Sequence, residues 1–162
     1  MKPIQFKDAA WAGVIAGVIF MILEMVMVPI FLDGSIWTLP RRIAAIALGE
    51  NVLTPPNYFT FGIFIIATGM HFMFSFVFGL AIAFIINLFK ISLPVSIIFG
   101  AVLGYLLYIF NFYVMTNFYP WFVESRNWVS AFTHISFGIA ITWSYLGLIK
   151  KHNVKAHRIY QK

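Results

Sequence analysis

The stretch that decides the fold is Trp11–Met25, WAGVIAGVIFMILEM, in which apolar and small residues surround a single acid, Glu24. Four apolar runs of this kind occur along the chain: 9–32, 59–89, 94–117 and 128–149. Each is longer than the roughly 20 residues that a helix needs to cross a bilayer. The sequence therefore predicts an all-α integral membrane protein, in which four transmembrane helices form an antiparallel bundle within a single membrane domain over residues 1–162.

Composition excludes most soluble classes of protein. Of the 162 residues, 62% are hydrophobic and 10% are charged, whereas an ordinary soluble domain carries about 25% charged residues. A disordered chain, a nucleic-acid-binding domain and a disulfide-rich secreted fold are therefore excluded, and no nucleic-acid partner is expected. Because the chain has no cysteine, thiolate catalysis, Fe–S clusters and cysteine-bound zinc are excluded as well.

The distribution of basic residues predicts the orientation. Four spans put both termini on one side, together with the connection between the second and third spans. That side carries eight basic residues: Lys2, Lys7, Lys90, Lys150, Lys151, Lys155, Arg158 and Lys162. The other side carries three: Arg41, Arg42 and Arg126. By the positive-inside rule both termini are cytoplasmic, and 150–162 forms a basic cytoplasmic tail. Lys150 and Lys151 on one side, and Arg41 and Arg42 on the other, are expected to meet lipid headgroups.

Residues 33–58 form the only substantial segment outside the predicted spans. Within it, the run PRRIAAIALG over 40–49 has a proline near its start and a glycine at its end, which is typical of a short helix. Its apolar residues share one face, so we expect it to lie in the outer membrane interface. The loop residues Glu124 and Arg126 are expected to pair with each other in solvent.

Small and polar residues form a stripe on every span. These residues are Gly13, Gly17 and Glu24 in the first span, Thr68, His71, Ser75 and Gly79 in the second, Ser96, Gly100, Gly104, Tyr108 and Asn111 in the third, and Ser130, His134, Gly138 and Thr142 in the fourth. Helices in lipid pack through small residues and turn polar side chains inward. The spacing also indicates a repeat, because Gly13, Gly17 and Glu24 recur as Gly100, Gly104 and Asn111.

An intramembrane cluster of polar side chains is the candidate site. Counting about 1.5 Å per residue from the outer ends of the spans brings Glu24, Asn111 and His134 to similar depths in the outer half of the bundle. His71 counts as deeper, and it reaches the same level if the surplus length of the second span protrudes outward. Tyr108 lies on the same face of the third span as Asn111. We expect these five residues to form one cluster under the 40–49 helix.

The chemistry of this cluster has several interpretations. Glu24 is a proton or cation acceptor, or a structural acid that fixes the packing of the helices. His71 and His134 are helix-bridging residues, or they ligate a haem or, with Glu24, a divalent metal. No cofactor is expected from the spacing, which lacks a metal-binding signature, and haem or a divalent metal is the alternative. No catalytic motif is present.

Three sequence patterns resemble known bacterial proteins. They are WAGVIAGVIFMILEM over 11–25, PRRIAAIALG over 40–49, and the later series N-F-Y, P-W-F, R-N-W and H-I-S-F-G between Asn111 and Gly138. Together they resemble a group of small, uncharacterised four-helix bacterial inner-membrane proteins, some of which are labelled sodium:proline symporter-like. The segment His71–Phe78 and the residues Pro120, Trp121 and His134 are more distantly similar to YagU-type inner-membrane proteins. The resemblance implies a multi-pass protein of the bacterial cytoplasmic membrane and supplies no chemistry.

Three functions are compatible with these observations. The first is a non-enzymatic accessory or stress-related membrane protein, and the second is a small proton- or solute-conducting protein that uses Glu24 and the intramembrane histidines. The third is a haem- or metal-binding membrane protein. The lipid bilayer is the expected partner, and since four helices enclose little pore, a homo-oligomer or a larger membrane complex is also expected.

Overall fold

Helices make up almost the whole structure. The computed structural model describes residues 5–55 and 58–159, and it is 87% helical, with no strand in these ranges. Five α-helices are present in them: α1 Phe6–Leu32, α2 Thr38–Leu48, α3 Phe61–Phe89, α4 Leu93–Ile109 and α5 Trp128–Ile159. Four stretches are long and apolar enough to cross a membrane: Phe6–Leu32, Phe61–Phe89, Pro94–Asn117 and Trp128–His152. The predicted all-α class and its four candidate spans are therefore confirmed.

The helix boundaries differ from the predicted ones at two places. The α-helical part of the third span ends at Ile109, and the chain continues as a π-helical turn over Phe110–Val114 and 3₁₀ turns over Met115–Asn117 and Pro120–Ser125. At the other end of the molecule, α5 continues to Ile159 and takes in most of the predicted basic tail. Hydropathy falls at residue 150, but lysine is a good helix former, so the loss of apolar residues does not end the helix.

Two close helix crossings hold the bundle together, and both are built on glycine. Between α1 and α3, a Cβ added to Gly13 would lie 2.4 Å from the Ser75 carbonyl oxygen, and one on Gly79 would lie 2.8 Å from the Cα of Gly13. Between α4 and α5, a Cβ on Gly104 would lie 2.1 Å from the His134 carbonyl oxygen. The glycines of the predicted repeat thus sit at equivalent crossings, which each need the absence of a side chain.

The molecule has a tightly packed half and an open half. We call the half that holds the start of α1 and the ends of α3 and α5 the terminal half, and the opposite half, which holds α2, the loop half. Small and branched residues fill the core of the terminal half: Ala9, Ala12, Ala16, Ile82, Ala83, Ile86, Ala140 and Ile141, with Tyr145. The Asn87 Nδ2 donates to the Tyr145 hydroxyl at 2.6 Å and joins α3 to α5 in this half.

The four long helices do not pack evenly around the loop half. Helix α5 packs against α4 and α1, and α1 packs against α3, whereas α3 and α4 hardly contact each other although they are consecutive in the chain. Helix α2 packs on α3. The bundle is therefore closed on three sides and open between α3 and α4.

Arg41 anchors α2 to the loop that follows it, which differs from the headgroup contact expected for this residue. It is only 4% exposed. Its guanidinium donates to the carbonyl oxygens of Val52 at 2.6 Å and Tyr58 at 2.8 Å, and to the Thr60 hydroxyl at 3.2 Å. Arg41 therefore links α2 to the 3₁₀ turn Glu50–Leu53 and to the residues just before α3.

Candidate functional site

The loop half encloses a cavity of about 600 Å³. Such a volume is within the roughly 300–1,000 Å³ typical of small-molecule sites. All five α-helices contribute to its wall, and α2 covers it. Eight aromatic residues line it: Phe20, Phe74, Phe78, Phe110, Phe112, Tyr119, Phe122 and Phe137. Glu24, His71, Asn111 and His134 line the same cavity, so the structure brings together four of the five residues of the predicted cluster.

Glu24 lies on the cavity wall and is 4% exposed. Its Oε1 accepts a hydrogen bond of 2.6 Å from the Thr133 hydroxyl on α5, and the Ser130 side chain also interacts with its carboxyl group. In the part of the chain that the structure describes, Glu24 forms no ion pair. The described residues that hydrogen-bond to the acid are thus neutral donors.

His134 bridges two elements in a fixed tautomer. Its Nδ1 lies 2.7 Å from the Ser130 carbonyl oxygen, and its Nε2 lies 3.1 Å from Asn111 Nδ2 in the π-helical turn. A carbonyl only accepts and an amide nitrogen only donates, so Nδ1 carries the proton and Nε2 accepts. The imidazole is therefore neutral and both of its nitrogens are occupied.

His71 has one ring nitrogen in use and one without a partner. Its Nε2 donates to the Gly17 carbonyl oxygen at 2.8 Å, which leaves Nδ1 as the acceptor of the neutral ring. No described residue hydrogen-bonds to Nδ1. The Phe20 ring stacks on the His71 ring at 5.5 Å and meets the His134 ring edge-on at 4.8 Å. One phenyl ring thus contacts both histidines.

Tyr108, Lys150 and Lys151, which were also predicted site residues, lie outside the cavity. Tyr108 is buried behind the site, where its ring packs against His134 at 6.0 Å and against Phe112 at 5.4 Å. Lys150 and Lys151 lie on the exposed surface near the end of α5, and their contact with lipid headgroups stays a prediction.

Arg42 fastens α2 over the cavity. Its guanidinium donates to the Ser125 hydroxyl at 2.8 Å and forms an ion pair with Glu124. The Trp121 indole N–H donates to the Arg42 carbonyl oxygen at 3.2 Å. These three contacts connect α2 to the 3₁₀ turn Pro120–Ser125, which lies 79 to 83 residues further along the chain. Helix α2 and the 3₁₀ turn Pro120–Ser125 are thus joined, and together they cover one side of the cavity; we call this pair of segments the roof.

Arg126 stabilises the π-helical turn and does not pair with Glu124, so the expected solvated pair is wrong. The Arg126 Nε donates to the Phe112 carbonyl oxygen at 2.6 Å, and its guanidinium also donates to the Thr116 hydroxyl at 2.9 Å. The same group lies 4.5 Å above the Tyr113 ring. A π-helical turn interrupts the regular hydrogen-bond ladder, and Arg126 supplies a donor at that point.

The arrangement of possible ligand side chains and the hydrogen bonds of the two histidines do not favour the metal and haem interpretation. Among the residues that the structure describes, no group of three or more His, Asp or Glu side chains is arranged to hold a metal ion. Both Nε2 atoms are already hydrogen-bonded, in His134 to Asn111 and in His71 to the Gly17 carbonyl. A metal or a haem at either Nε2 atom would have to break these bonds.

Sequence reasoning missed several residues of the site. Phe20 lies four positions before Glu24, one turn away on the same face of α1, and Thr133 directly precedes His134. These positions are signals that could have been used. No such signal in the sequence indicates the role of Arg42, because its partners Glu124 and Ser125 lie in a distant turn of the chain.

Comparisons with known proteins provide no further indication of function. No protein family, no curated protein and no solved structure matches this chain. The cavity and its wall are therefore the basis for a functional proposal.

Proposed function

We propose that this chain is a non-enzymatic integral protein of the bacterial inner membrane that binds a hydrophobic small molecule in the cavity of its loop half. In this proposal the four long helices form an antiparallel bundle, both termini are cytoplasmic and α2 lies in the outer interface. The excess of basic residues near the termini and the resemblance to small four-helix inner-membrane proteins support this placement. A homo-oligomer or a larger membrane complex is part of the same proposal.

The observation that carries the proposal is the cavity itself. It has a volume of about 600 Å³, an aromatic wall and a few polar groups that lie close together. This combination is what small-molecule sites have in common.

The polar groups are poorly suited to catalysis. The Thr133 hydroxyl, which lies 2.6 Å from the Glu24 carboxyl group, resembles a nucleophile next to a base. Thr133 is, however, 0% exposed and does not line the cavity, so a bound molecule does not reach it. His134 uses both ring nitrogens in hydrogen bonds. Binding is therefore favoured over a reaction.

Conduction is also less well supported than binding. A pathway for protons or solutes would have to continue from the cavity through the terminal half. The hydrophobic core there consists of alanine, isoleucine and tyrosine side chains packed between glycine crossings, and polar groups in this half bond to each other, as Asn87 does to Tyr145 and Asp8 to His152. A proton pathway needs polar side chains or water along its whole length, and the cavity ends where this core begins.

The open side of the bundle offers a route for the ligand. Phe78 on α3 and Leu107 on α4 both line the cavity, yet these two helices hardly contact each other. In a bilayer this gap faces the hydrocarbon of the membrane. We propose that the ligand enters from the lipid between α3 and α4, below the roof that Arg42 fastens.

Filling the cavity tests the proposed function. Leu107→Trp adds an indole to the wall, and we expect it to weaken binding of a neutral fluorescent hydrophobe, N-phenyl-1-naphthylamine, by about tenfold or more, because the site no longer has room. The matched control is Leu106→Trp, since Leu106 is 55% exposed and does not line the cavity. Probe fluorescence is titrated with protein in lipid nanodiscs. Equal affinity for the two variants, or no saturable binding to the unmodified protein, would contradict the proposal.

A further inference from the structure

We infer that the cavity selects a hydrophobic organic cation, a protonated amine attached to an apolar body, and that Glu24 is the residue that recognises its charge. This inference rests on the proposed function and specifies the class of ligand. Its basis is the distribution of charge, of hydrogen-bond acceptors and of aromatic rings around the cavity of the loop half.

The charges of the cavity wall are opposite to those of the protein. The chain has a formal net charge of +6, with 11 Lys and Arg against 5 Asp and Glu. Three of the five acids line the cavity, Glu24, Asp33 and Glu124, together with a single basic residue, Arg42. The Arg42 guanidinium is held by Glu124 and Ser125. The excess of acid at this site therefore favours a cationic ligand.

Glu24 is the most buried of the three cavity acids, and it forms no ion pair with a described residue. It is 4% exposed, and the described residues that hold it, such as Thr133, are neutral. An isolated charge at membrane depth is unfavourable unless it pairs or coordinates with another group. The Arg42 guanidinium on the same wall is engaged by Glu124 and Ser125, so a cation in the cavity would supply the direct ion-pair partner that Glu24 lacks among the described residues.

His71 provides a second and independent indication. It is 7% exposed and lines the cavity, and its Nδ1 has no hydrogen-bond partner among the described residues. With Nε2–H donating to the Gly17 carbonyl, Nδ1 accepts a hydrogen bond from a ligand N–H group. A protonated amine carries such a group, whereas an apolar ligand does not.

The aromatic wall completes the match. The eight aromatic rings that line the cavity, from Phe20 to Phe137, present both apolar surface and negatively polarised ring faces. Cations are attracted to such faces within about 6 Å of the ring centroid, and more strongly where water is excluded. A wall of aromatic rings around one carboxylate suits an amine on an aromatic or aliphatic body better than a hydrated metal ion.

Two probes of nearly equal shape test the inference. They are 1-naphthylmethylammonium, which is a cation at neutral pH, and 1-naphthylmethanol, which is neutral. We expect the protein in nanodiscs of zwitterionic lipid to bind the ammonium probe about tenfold more tightly than the alcohol, measured by equilibrium dialysis at neutral pH. Glu24→Gln keeps an acceptor for Thr133 and removes the charge, so it is expected to abolish this preference.

The matched control is Glu50→Gln, which makes the same change in net charge at an exposed acid outside the cavity and is expected to keep the preference. Equal affinity for the two probes, or a preference that survives Glu24→Gln, would overturn the inference. If Glu24→Gln fails to fold, Glu24→Met replaces the carboxylate with an uncharged side chain of similar length, and Thr133 keeps the Ser130 carbonyl oxygen as an acceptor. An unchanged preference in that variant overturns the inference equally. Failure of the proposed function gives a different result from failure of this inference. If the cavity binds no ligand, neither probe binds saturably, and Leu107→Trp has no effect on either one.

Discussion

Gly138→Ala is expected to lower the free energy of unfolding by about 3 kcal/mol or more, or to prevent folding, because the new methyl group has no space at the α4–α5 crossing. A Cβ at this position would lie 2.1 Å from the Gly100 carbonyl oxygen and 2.8 Å from the Gly104 amide nitrogen. Both atoms belong to the backbone of α4, so the clash can only be relieved by moving the two helices apart. The same separation would disturb the cavity, since both helices form its wall.

The matched control lies in the same helix. Gly147 is also in α5, but no atom lies within 4 Å of a Cβ added there. Because alanine favours a helix over glycine by up to about 1 kcal/mol, Gly147→Ala is expected to be neutral or stabilising. Unfolding of both variants in mixed micelles, followed by the loss of helical circular dichroism, compares them directly. Similar unfolding curves for the two variants would contradict the proposed packing.

Arg41→Met is expected to open the segment that follows α2, at residues 49–55 and 58–60, while the four long helices stay folded. The substitution keeps an apolar stem of similar length and removes all of the guanidinium donors. The carbonyl groups of Val52 and Tyr58 then lose the guanidinium donor, at a cost of about 1–3 kcal/mol for each one that stays buried. Local opening relieves this cost by giving both groups to water. We therefore expect amide hydrogen exchange in this segment to become at least about tenfold faster.

Arg41→Lys serves as the comparison for charge. A lysine keeps the positive charge, but a single ammonium group lacks the fork of donors with which arginine reaches two carbonyl groups and a hydroxyl group together. We expect exchange rates close to those of Arg41→Met. If both variants exchange at the rate of the unmodified protein, Arg41 does not anchor the loop; if only Arg41→Met is fast, the charge matters more than the geometry.

The four candidate spans could be predicted from the sequence because hydropathy is a local property of the chain. Runs of apolar residues around Glu24 or His71 cannot be placed in water at acceptable free energy, whatever their neighbours are. The stripes of glycine and polar residues also allowed the packing of the helices to be predicted. They indicated which face of each helix meets another helix, and that face also carries Glu24, His71, Asn111 and His134, which line one cavity.

The partners of these residues could not be predicted in the same way. The Glu24–Thr133 hydrogen bond joins positions 109 residues apart, and it depends on the rotation of α1 and α5 about their own axes. A rotation of one residue position, about 100° in an α-helix, would exchange Thr133 with a neighbour. Tyr108 shows the consequence, because it shares a face with Asn111 on an ideal helix but lies behind the cavity, just before the π-helical turn.

The loops were the least predictable part of the site. Arg41, Arg42 and Arg126 were grouped by charge on one side of the membrane, yet each guanidinium is bound within the protein. Arginine forms several directed hydrogen bonds at once, so it is often used where carbonyl groups lack partners. Nothing in the local sequence distinguishes an arginine that binds a neighbouring loop from one that meets a phosphate group.

Photolabelling tests most directly whether the cavity is a binding site. A neutral aryl diazirine is bound to the protein in nanodiscs and irradiated, with and without an excess of the same compound lacking the diazirine, and the modified residues are located by mass spectrometry. We predict labelling that the competitor suppresses at cavity residues such as Glu24, Ile43 and Asn111. Labelling of the exposed apolar residues Ile22, Phe76 and Val102 should not respond to the competitor. Competitor-sensitive labelling found only on such exposed residues, or none at all, would contradict a ligand-binding cavity in the loop half.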